Sequence, residues 1–172
     1  MTAMEPVIRD ALSADDIAQA RALFVEYAQW LAVDLCFQGF ADELATLPGA
    51  YAPPEGRLLL VGPPGHAFGC IALRPLAASK DCGRDGSVQM SARVGEVKRL
   101  FVRESQRHGG WGRRLAEAII AEARTIGYRE LKLDTLDWMA DARRLYAQLG
   151  FRECPPYYLN PLPGVVYMSL VL

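Results

Sequence analysis

Apolar side chains recur at intervals of three and four residues between Ile17 and Leu31, with charged and amide side chains on the other faces. This spacing is typical of an amphipathic helix. Ser13 precedes the stretch as a preferred N-cap residue, and Asp16 stands where the acid of a capping box belongs. The pattern therefore predicts a first helix that begins after Ser13.

Three further stretches show helical spacing. A shorter helix is predicted over 37–47, before the helix-ending pair at 48–49. After a glycine-rich turn, the apolar residues of 115–126 lie on one side of a third predicted helix, and Gly127 suits its C-terminal cap. The last helix is predicted at 139–149.

Short apolar or alternating runs between these helices predict strands. The strands are predicted at 6–10, 57–61, 66–73, 95–102, 130–134, a short stretch from 151, and 165–172. Those at 57–61 and 66–73 form an antiparallel hairpin, and the polar residues of 75–93 form a long loop to which we assign no role. The resulting order β-α-α-β-β-β-α-β-α-β-β is a mixed α/β arrangement without regular alternation. A length of 172 residues predicts a single domain over 1–172.

Composition narrows the class of protein. A content of 51% apolar and 23% charged residues is that of a folded globular chain, and a formal net charge of −1 does not favour nucleic acid as a partner. The apolar runs are too short to span a membrane, and the first residues do not resemble a signal peptide. Four scattered cysteines and two histidines offer no metal-ligand spacing. We expect a cytoplasmic protein with reduced thiols and no metal.

The stretch from Val97 to Leu115 reads as a strand, a turn with the pattern Arg107-x-x-Gly110-x-Gly112, and a helix N-terminus. Glycines let a backbone approach an anion closely, and the first N–H groups of a helix lack partners. The stretch predicts a phosphate-bearing ligand at 107–113, the alternative being a tight strand-to-helix turn. No P-loop pattern is present, and Leu115 replaces the third small residue of a dinucleotide fingerprint.

A second motif lies about 35 residues further on, where 142–151 reads Ala-Arg-Arg-Leu-Tyr-Ala-Gln-Leu-Gly-Phe. The two motifs and the order of elements resemble the GNAT superfamily of acyl-CoA-dependent N-acetyltransferases. The resemblance implies a central, mostly antiparallel twisted sheet of about six to seven strands flanked by about four helices. It also implies acetyl-CoA as co-substrate.

The resemblance implies a set of cofactor-binding residues. The backbone at Leu100, Phe101 and Val102 would pair with the pantetheine arm as an added strand would. The turn would hold the pyrophosphate through Arg107, His108, Gly109, Gly110, Trp111, Gly112 and Arg113. Thr135 and Ala142 would also contact CoA. Met139 stands where many relatives have an asparagine that contacts CoA.

The resemblance also implies two catalytic residues. Tyr146 would give a proton to the departing thiolate, although a tyrosine on an apolar helix face is by itself more typical of a core. Glu96 is the candidate base that removes a proton from the amine. Its alternative is a structural carboxylate paired with Lys98 or Arg93, and the sequence favours neither.

The acceptor is expected to meet the N-terminal helices and the C-terminal loop. Candidate contacts are Trp30, Asp34, Gln38, Tyr157 and Tyr158. Aromatics with an acid suit a small amine or amino-acid-like substrate, whereas plain aromatic packing is the alternative. The predicted function is acetyl transfer from acetyl-CoA to a primary amine, with a homodimer left open. A non-catalytic acyl-CoA-binding sensor, favoured by Met139, is the second hypothesis.

Overall fold

The computed structural model describes residues 6–76 and 93–172. In chain order its strands and helices are β1 (Val7–Asp10), α1 (Ala14–Leu31), α2 (Phe40–Thr46), β2 (Arg57–Gly62), β3 (Gly69–Pro75), β4 (Val94–Val102), α3 (Trp111–Ile126), β5 (Glu130–Leu136), α4 (Ala140–Gln148), β6 (Arg152–Glu153) and β7 (Val165–Val171). This order is the predicted one. Most of the predicted loop 75–93 lies outside the described residues.

The seven strands form one sheet in the order β1-β2-β3-β4-β5-β7-β6. All neighbouring pairs are antiparallel except β4 and β5, which are parallel. A mostly antiparallel sheet of seven strands with four helices confirms the predicted fold class. Among the described residues, none of the helices is both long enough and apolar enough to cross a membrane.

Side chains alternate between the two faces of the sheet, as the strand geometry requires. Leu58 and Leu60 of β2 pack with Phe24 of α1, whereas Leu59 and Val61 pack against α3 on the other face. The α1 layer also contains Ala20, Leu23, Tyr51, Cys70, Ala72 and Phe101. The α3 layer contains Leu115, Ile119, Ile71, Leu73, Leu131 and Met168. The sheet is therefore buried between two helical layers.

The predicted helix ends are present. Ser13 caps α1, with its hydroxyl oxygen accepting from the Asp16 N–H at 3.1 Å and the Asp16 carboxylate accepting in return. Gly127 ends α3 with φ = +97°, a backbone conformation that only glycine adopts readily. These caps satisfy backbone groups that the helices leave without partners.

Strand β4 contains a β-bulge. Cys70 of β3 pairs with Phe101 and Ala72 pairs with Lys98, so β4 has one residue more than β3 between these pairs. Arg99 sits at the bulge with φ = +59°. The extra residue turns the side chains of Lys98 and Arg99 toward the same layer, where they contact the α1–α2 segment and α2.

Arg99 is buried and paired. Its Nε and Nη2 donate to the two oxygens of Glu43 in α2 at 3.0 and 2.6 Å, and the Tyr51 hydroxyl donates to the same carboxylate at 2.8 Å. Burial acts to raise the pKa of Glu43, but the hydrogen bonds and charge of Arg99 outweigh it and hold that pKa below its ordinary value. This bidentate pair attaches α2 to the bulge.

We expect Glu43→Gln to lower the free energy of unfolding by about 3 kcal/mol, because it leaves the Arg99 charge buried without its partner. The matched control is Glu26→Gln. Glu26 holds Arg103 in the same bidentate way with 36% and 41% of the two side chains exposed, so the loss should stay under about 1 kcal/mol. Denaturant unfolding at pH 7 measures both.

The same experiment has a pH dependence with a defined sign. Because the folded-state pKa of Glu43 is lowered, its ionised form stabilises the protein above the ordinary glutamate pKa. That contribution is lost as the pH falls through the lowered value. The stability gap between wild type and Glu43→Gln should therefore be full at pH 7 and shrink below about pH 4. Equal losses of unfolding free energy in Glu43→Gln and Glu26→Gln would contradict the role of Glu43 as the partner of a buried Arg99 charge.

Candidate active site

A cavity of about 430 Å³ lies where β4 and β5 separate. Within the described residues the two strands pair only from Val94 to Glu96, against Glu130 to Lys132. Beyond these pairs β4 continues along β3 and β5 continues along β7. The edge of β4 that faces β5 therefore borders the cavity without a neighbouring strand, and its polar backbone groups need partners.

The glycine-rich turn follows β4 at one end of this cavity. His108 and Gly110 have φ = +70° and +74°, and α3 begins at Trp111. Within the part of the chain that the structure describes, the backbone N–H groups of 108–113 donate to no protein acceptor. A turn of this kind favours an anion.

Space for a ligand is open at the turn. Among the described atoms, a Cβ built on Gly110 would meet none within 4 Å, and one on Gly112 would meet only the Leu145 Cδ2 at 3.8 Å. The packing of the chain itself therefore does not require glycine at 112. The open space and the N–H groups together fit a pyrophosphate.

The side chains of the turn have different surroundings. Arg113 is exposed and hydrogen-bonded to Gln148. Arg107 instead lines the cavity, where its guanidinium lies 4.7 Å from the Trp30 ring and its Nε donates to the Val102 carbonyl at 2.9 Å.

The exposed residues His108 and Gly109 complete the turn, and the Trp111 ring packs edge-on against Phe68. The turn is thus anchored by one aromatic ring at each end.

Tyr146 of α4 lines the same cavity. Its ring is 8% exposed and packs edge-on against Phe151 with 5.6 Å between centroids. Burial raises the pKa of Tyr146, so its hydroxyl stays protonated near neutral pH. This hydroxyl forms no hydrogen bond with the residues that the structure describes, and it is therefore a donor without a protein acceptor.

The wall between Tyr146 and β5 contains Thr135, Met139 and Ala142. The Thr135 hydroxyl lies 3.6 Å from the Met139 sulfur. A thioether is a weak acceptor, so this contact leaves the hydroxyl available for a stronger one. Met139 thus presents an apolar surface beside the Thr135 hydroxyl.

The other end of the cavity is polar. Lys98 and Asp134 both line it and lie side by side, with 3.6 Å between Nζ and Oδ1. Gln38 accepts from the lysine Nζ at 3.1 Å and donates to the Tyr158 hydroxyl at 3.2 Å. Tyr158 donates to Asp134 Oδ2 at 2.8 Å, and the Asn160 amide donates to the same oxygen at 3.0 Å. Side chains from four separate segments thus form one network.

Glu96 lies behind this network. It is 1% exposed, and its Oε2 accepts from the Arg74 Nε at 2.7 Å and lies 2.7 Å from the Arg74 Nη2. Its Oε1 accepts from the Tyr157 hydroxyl at 3.0 Å and lies 3.7 Å from the Lys98 Nζ. Glu96 is not among the described residues that line the cavity. Its surroundings are those of a paired carboxylate, although the main partner is Arg74.

The remaining predicted acceptor contacts divide between the cavity and its surroundings. Trp30 and Gln38 line the cavity, and Trp30 meets Trp138 at 5.7 Å across its mouth. Tyr157 and Tyr158 are not among the described lining residues, and they donate hydrogen bonds to Glu96 and Asp134. Asp34 needs a correction: it is exposed, and its carboxylate accepts from the Cys36 N–H at 2.8 Å within its own turn. The structure does not bring Asp34 to the cavity.

Several cavity residues were not predicted from the sequence. They are Tyr27, Lys98, Trp138 and Asp134, with Asn160 in contact behind them. A signal was present for Lys98 and Asp134, because each is a charged residue inside a predicted strand. A charge on a strand between two helical layers must be paired or functional.

The sequence is similar to those of proteins named as acetyltransferases. The sequence model described as the Acetyltransferase (GNAT) family matches residues 19–151. An uncharacterized N-acetyltransferase of Schizosaccharomyces pombe is 38% identical over 156 residues, which cover 90% of this chain and 88% of that protein.

Solved structures share the fold. An acetyltransferase from Streptococcus agalactiae has a TM-score of 0.74 at 17% identity, covering 98% of this chain and 99% of its own. N-acetylglutamate synthase from Neisseria gonorrhoeae, in complex with coenzyme A and N-acetyl-glutamate, has a TM-score of 0.66 at 21% identity. That match covers 97% of this chain and 35% of the synthase.

The family match includes β4, the glycine-rich turn and the helix with Tyr146, which are the elements that form the cavity. The chain belongs to the GNAT family of acetyltransferases, which carry out acyl-CoA-dependent acetyl transfer.

Proposed function

We propose that this protein is an N-acetyltransferase that moves the acetyl group of acetyl-CoA to a primary amine of a small molecule, amino-acid-like acceptors included. One observation carries the proposal. A single cavity joins the open edge of β4, a donor hydroxyl on Tyr146 and a polar end at Lys98 and Asp134. A binding site for acyl-CoA alone would need the first of these but neither of the others.

In the proposed complex, the pantetheine arm lies along Leu100, Phe101 and Val102 and takes up the hydrogen bonds that β5 does not supply. The pyrophosphate lies on the N–H groups of 108–113, where the N-terminus of α3 adds partial positive charge. Thr135 and Ala142 contact the same arm from the β5 side. Coenzyme A in a solved structure of the same fold supports this assignment.

Acetyl transfer needs an uncharged amine. A bond forms between the amine nitrogen and the thioester carbonyl carbon, the carbon–sulfur bond breaks, and the sulfur leaves as a thiolate. Tyr146 gives that thiolate a proton, and its raised pKa keeps the proton available until the negative charge develops. Backbone N–H groups of β4 stabilise the carbonyl oxygen as it gains charge.

An alkyl ammonium has a pKa near 10, so a base must accept a proton at neutral pH. The carboxylates of Glu96 and Asp134 flank Lys98, and Asp134 is the one on the cavity wall. We propose that the Asp134 carboxylate contacts the amine directly and that Glu96 is the buried carboxylate behind it. The ammonium nitrogen loses two protons during the reaction, and one of them reaches solvent through the Asp134 carboxylate. The other restores Tyr146.

Replacing Gly112 by Asp should raise the dissociation constant of acetyl-CoA at least tenfold, because the new carboxylate occupies the space and the charge of the proposed pyrophosphate. The fold should tolerate it, since the nearest atom to the new Cβ is at 3.8 Å and an acid suits the first turn of a helix. Calorimetric titration measures the affinity. Gly65→Asp is the control: it adds the same charge in the β2–β3 turn, where a Cβ would meet no described atom within 4 Å and where aspartate tolerates the φ of +77° better than most residues. Unchanged affinity in Gly112→Asp would exclude the assigned pyrophosphate site.

Replacing Tyr146 by Phe should lower kcat by 10- to 1000-fold and leave the KM for acetyl-CoA within about threefold, because only a proton donor is removed. Its free energy of unfolding should change by less than about 1 kcal/mol, since no hydrogen bond to the described chain is lost. The assay follows CoA release with a panel of primary amines. Tyr128→Phe, a buried tyrosine that does not line the cavity, is the control.

The same assay separates the two hypotheses on function. Thermal stabilisation by acetyl-CoA without CoA release from any amine would favour a non-catalytic acyl-CoA-binding protein. Full kcat in Tyr146→Phe would leave acetyl transfer intact and remove this residue from the mechanism.

A further inference from the structure

Lys98 has hydrogen-bonding capacity that the described chain does not use. An ammonium group has three N–H donors. Within residues 6–76 and 93–172, Nζ makes one hydrogen bond, to Gln38 Oε1 at 3.1 Å. The two nearest carboxylate oxygens are at 3.6 and 3.7 Å, too far for a hydrogen bond. The Lys98 side chain is 5% exposed and lines the cavity, so its remaining N–H groups are available to an acceptor on a ligand in the cavity.

Asp134 has the complementary open position. Its Oδ2 accepts from Tyr158 and Asn160. Within the described parts of the chain, its Oδ1 has only the Lys98 ammonium nearby, at 3.6 Å, although a carboxylate oxygen readily accepts two hydrogen bonds. The cavity therefore presents an unfilled donor and an unfilled acceptor of opposite charge side by side.

The charges around this pair are balanced. Arg74 and Glu96 neutralise one another through a hydrogen bond and an ion-pair contact, both at 2.7 Å, and the pair that lines the cavity is Lys98 with Asp134. A ligand with only a cationic amine would be attracted by Asp134 and opposed by Lys98. A ligand with only an acid group would be attracted by Lys98 and repelled by Asp134. A ligand with both groups on one carbon satisfies both residues at once, because an ion buried beside a matched counter-charge is stabilised.

We propose that the acceptor is an α-amino acid whose carboxylate binds the Lys98 ammonium and whose amine lies at Asp134 Oδ1. This assignment rests on the proposed function and defines the acceptor within it. Lys98 is then the residue that determines specificity for the acid group. It supplies binding energy to a part of the substrate that does not react.

The test compares matched acceptors. L-Phenylalanine, L-phenylalaninamide and phenethylamine share one side chain and differ at the carboxylate, and leucine with its amide and its decarboxylated amine repeats the series. CoA release gives kcat/KM for each. In at least one series, the free amino acid should exceed both the amide and the amine by at least tenfold. Amides or amines used as well as the acids throughout would overturn the proposal, and this comparison needs no variant.

The variant Lys98→Met should lower the acid-over-amide ratio of kcat/KM at least tenfold, with the change mainly in the KM of the acid. Lys98→Arg should restore part of the ratio, because it keeps the charge. Lys132→Met is the matched control: Lys132 lies on β5, pairs with Glu130 at 3.9 Å and is outside the described cavity lining. An unchanged ratio in folded Lys98→Met would assign the acid preference elsewhere.

Failure of the proposed function is distinguishable from failure of this inference. If no amine causes release of CoA from acetyl-CoA, the transferase proposal fails. The class of ligand at Lys98 and Asp134 is then tested by binding measurements. Thermal shifts in the presence of CoA should then be larger for the amino acids than for their amides in wild type, and equal in Lys98→Met. Equal shifts in wild type would overturn the inference.

Discussion

Strands β4 and β5 separate after three residue pairs, from Val94 to Glu96 on β4. A parallel pair that continued would satisfy its own backbone and leave no room between the strands. Each strand instead keeps one antiparallel neighbour, β3 or β7, so the sheet remains continuous while a cavity forms inside it. Because an unpaired backbone needs a partner, this separation determines where an extended ligand can lie.

The bulge in β4 adds charged side chains beside the point where β4 and β5 separate. It directs two consecutive cations toward the same layer, and their partners give them different roles. Arg99 is held by Glu43 and Tyr51 and attaches α2 to the sheet. Among the described residues Lys98 has a single hydrogen-bond partner, Gln38, and it lines the cavity. One irregular residue in a strand thus supplies both a structural ion pair and a charged cavity wall.

The sequence was sufficient for the order of elements, because each has a local signal: the capping box at Ser13, the alternation of β5, and Gly127 at the end of α3. The two motifs also located the turn and Tyr146. The acid–base network was not predictable in the same way, because its contacts join residues far apart in the chain. Arg74 and Tyr157, which hold Glu96, come from β3 and from the C-terminal loop. Asp34 was wrongly predicted to contact the acceptor, because the sequence alone did not reveal that its carboxylate accepts a local hydrogen bond from the Cys36 N–H.

We propose that the open edge of β4 and the turn after it form one continuous surface for an acyl-CoA. Hydrogen–deuterium exchange with and without CoA tests this surface directly, because each amide reports its own hydrogen bond. Bound CoA should slow exchange at one or more amides of 100–102 and at those of 108–113, with amides of β1 and β2 unchanged. Protection at the turn without any on β4, or protection confined to other elements, would contradict this proposal.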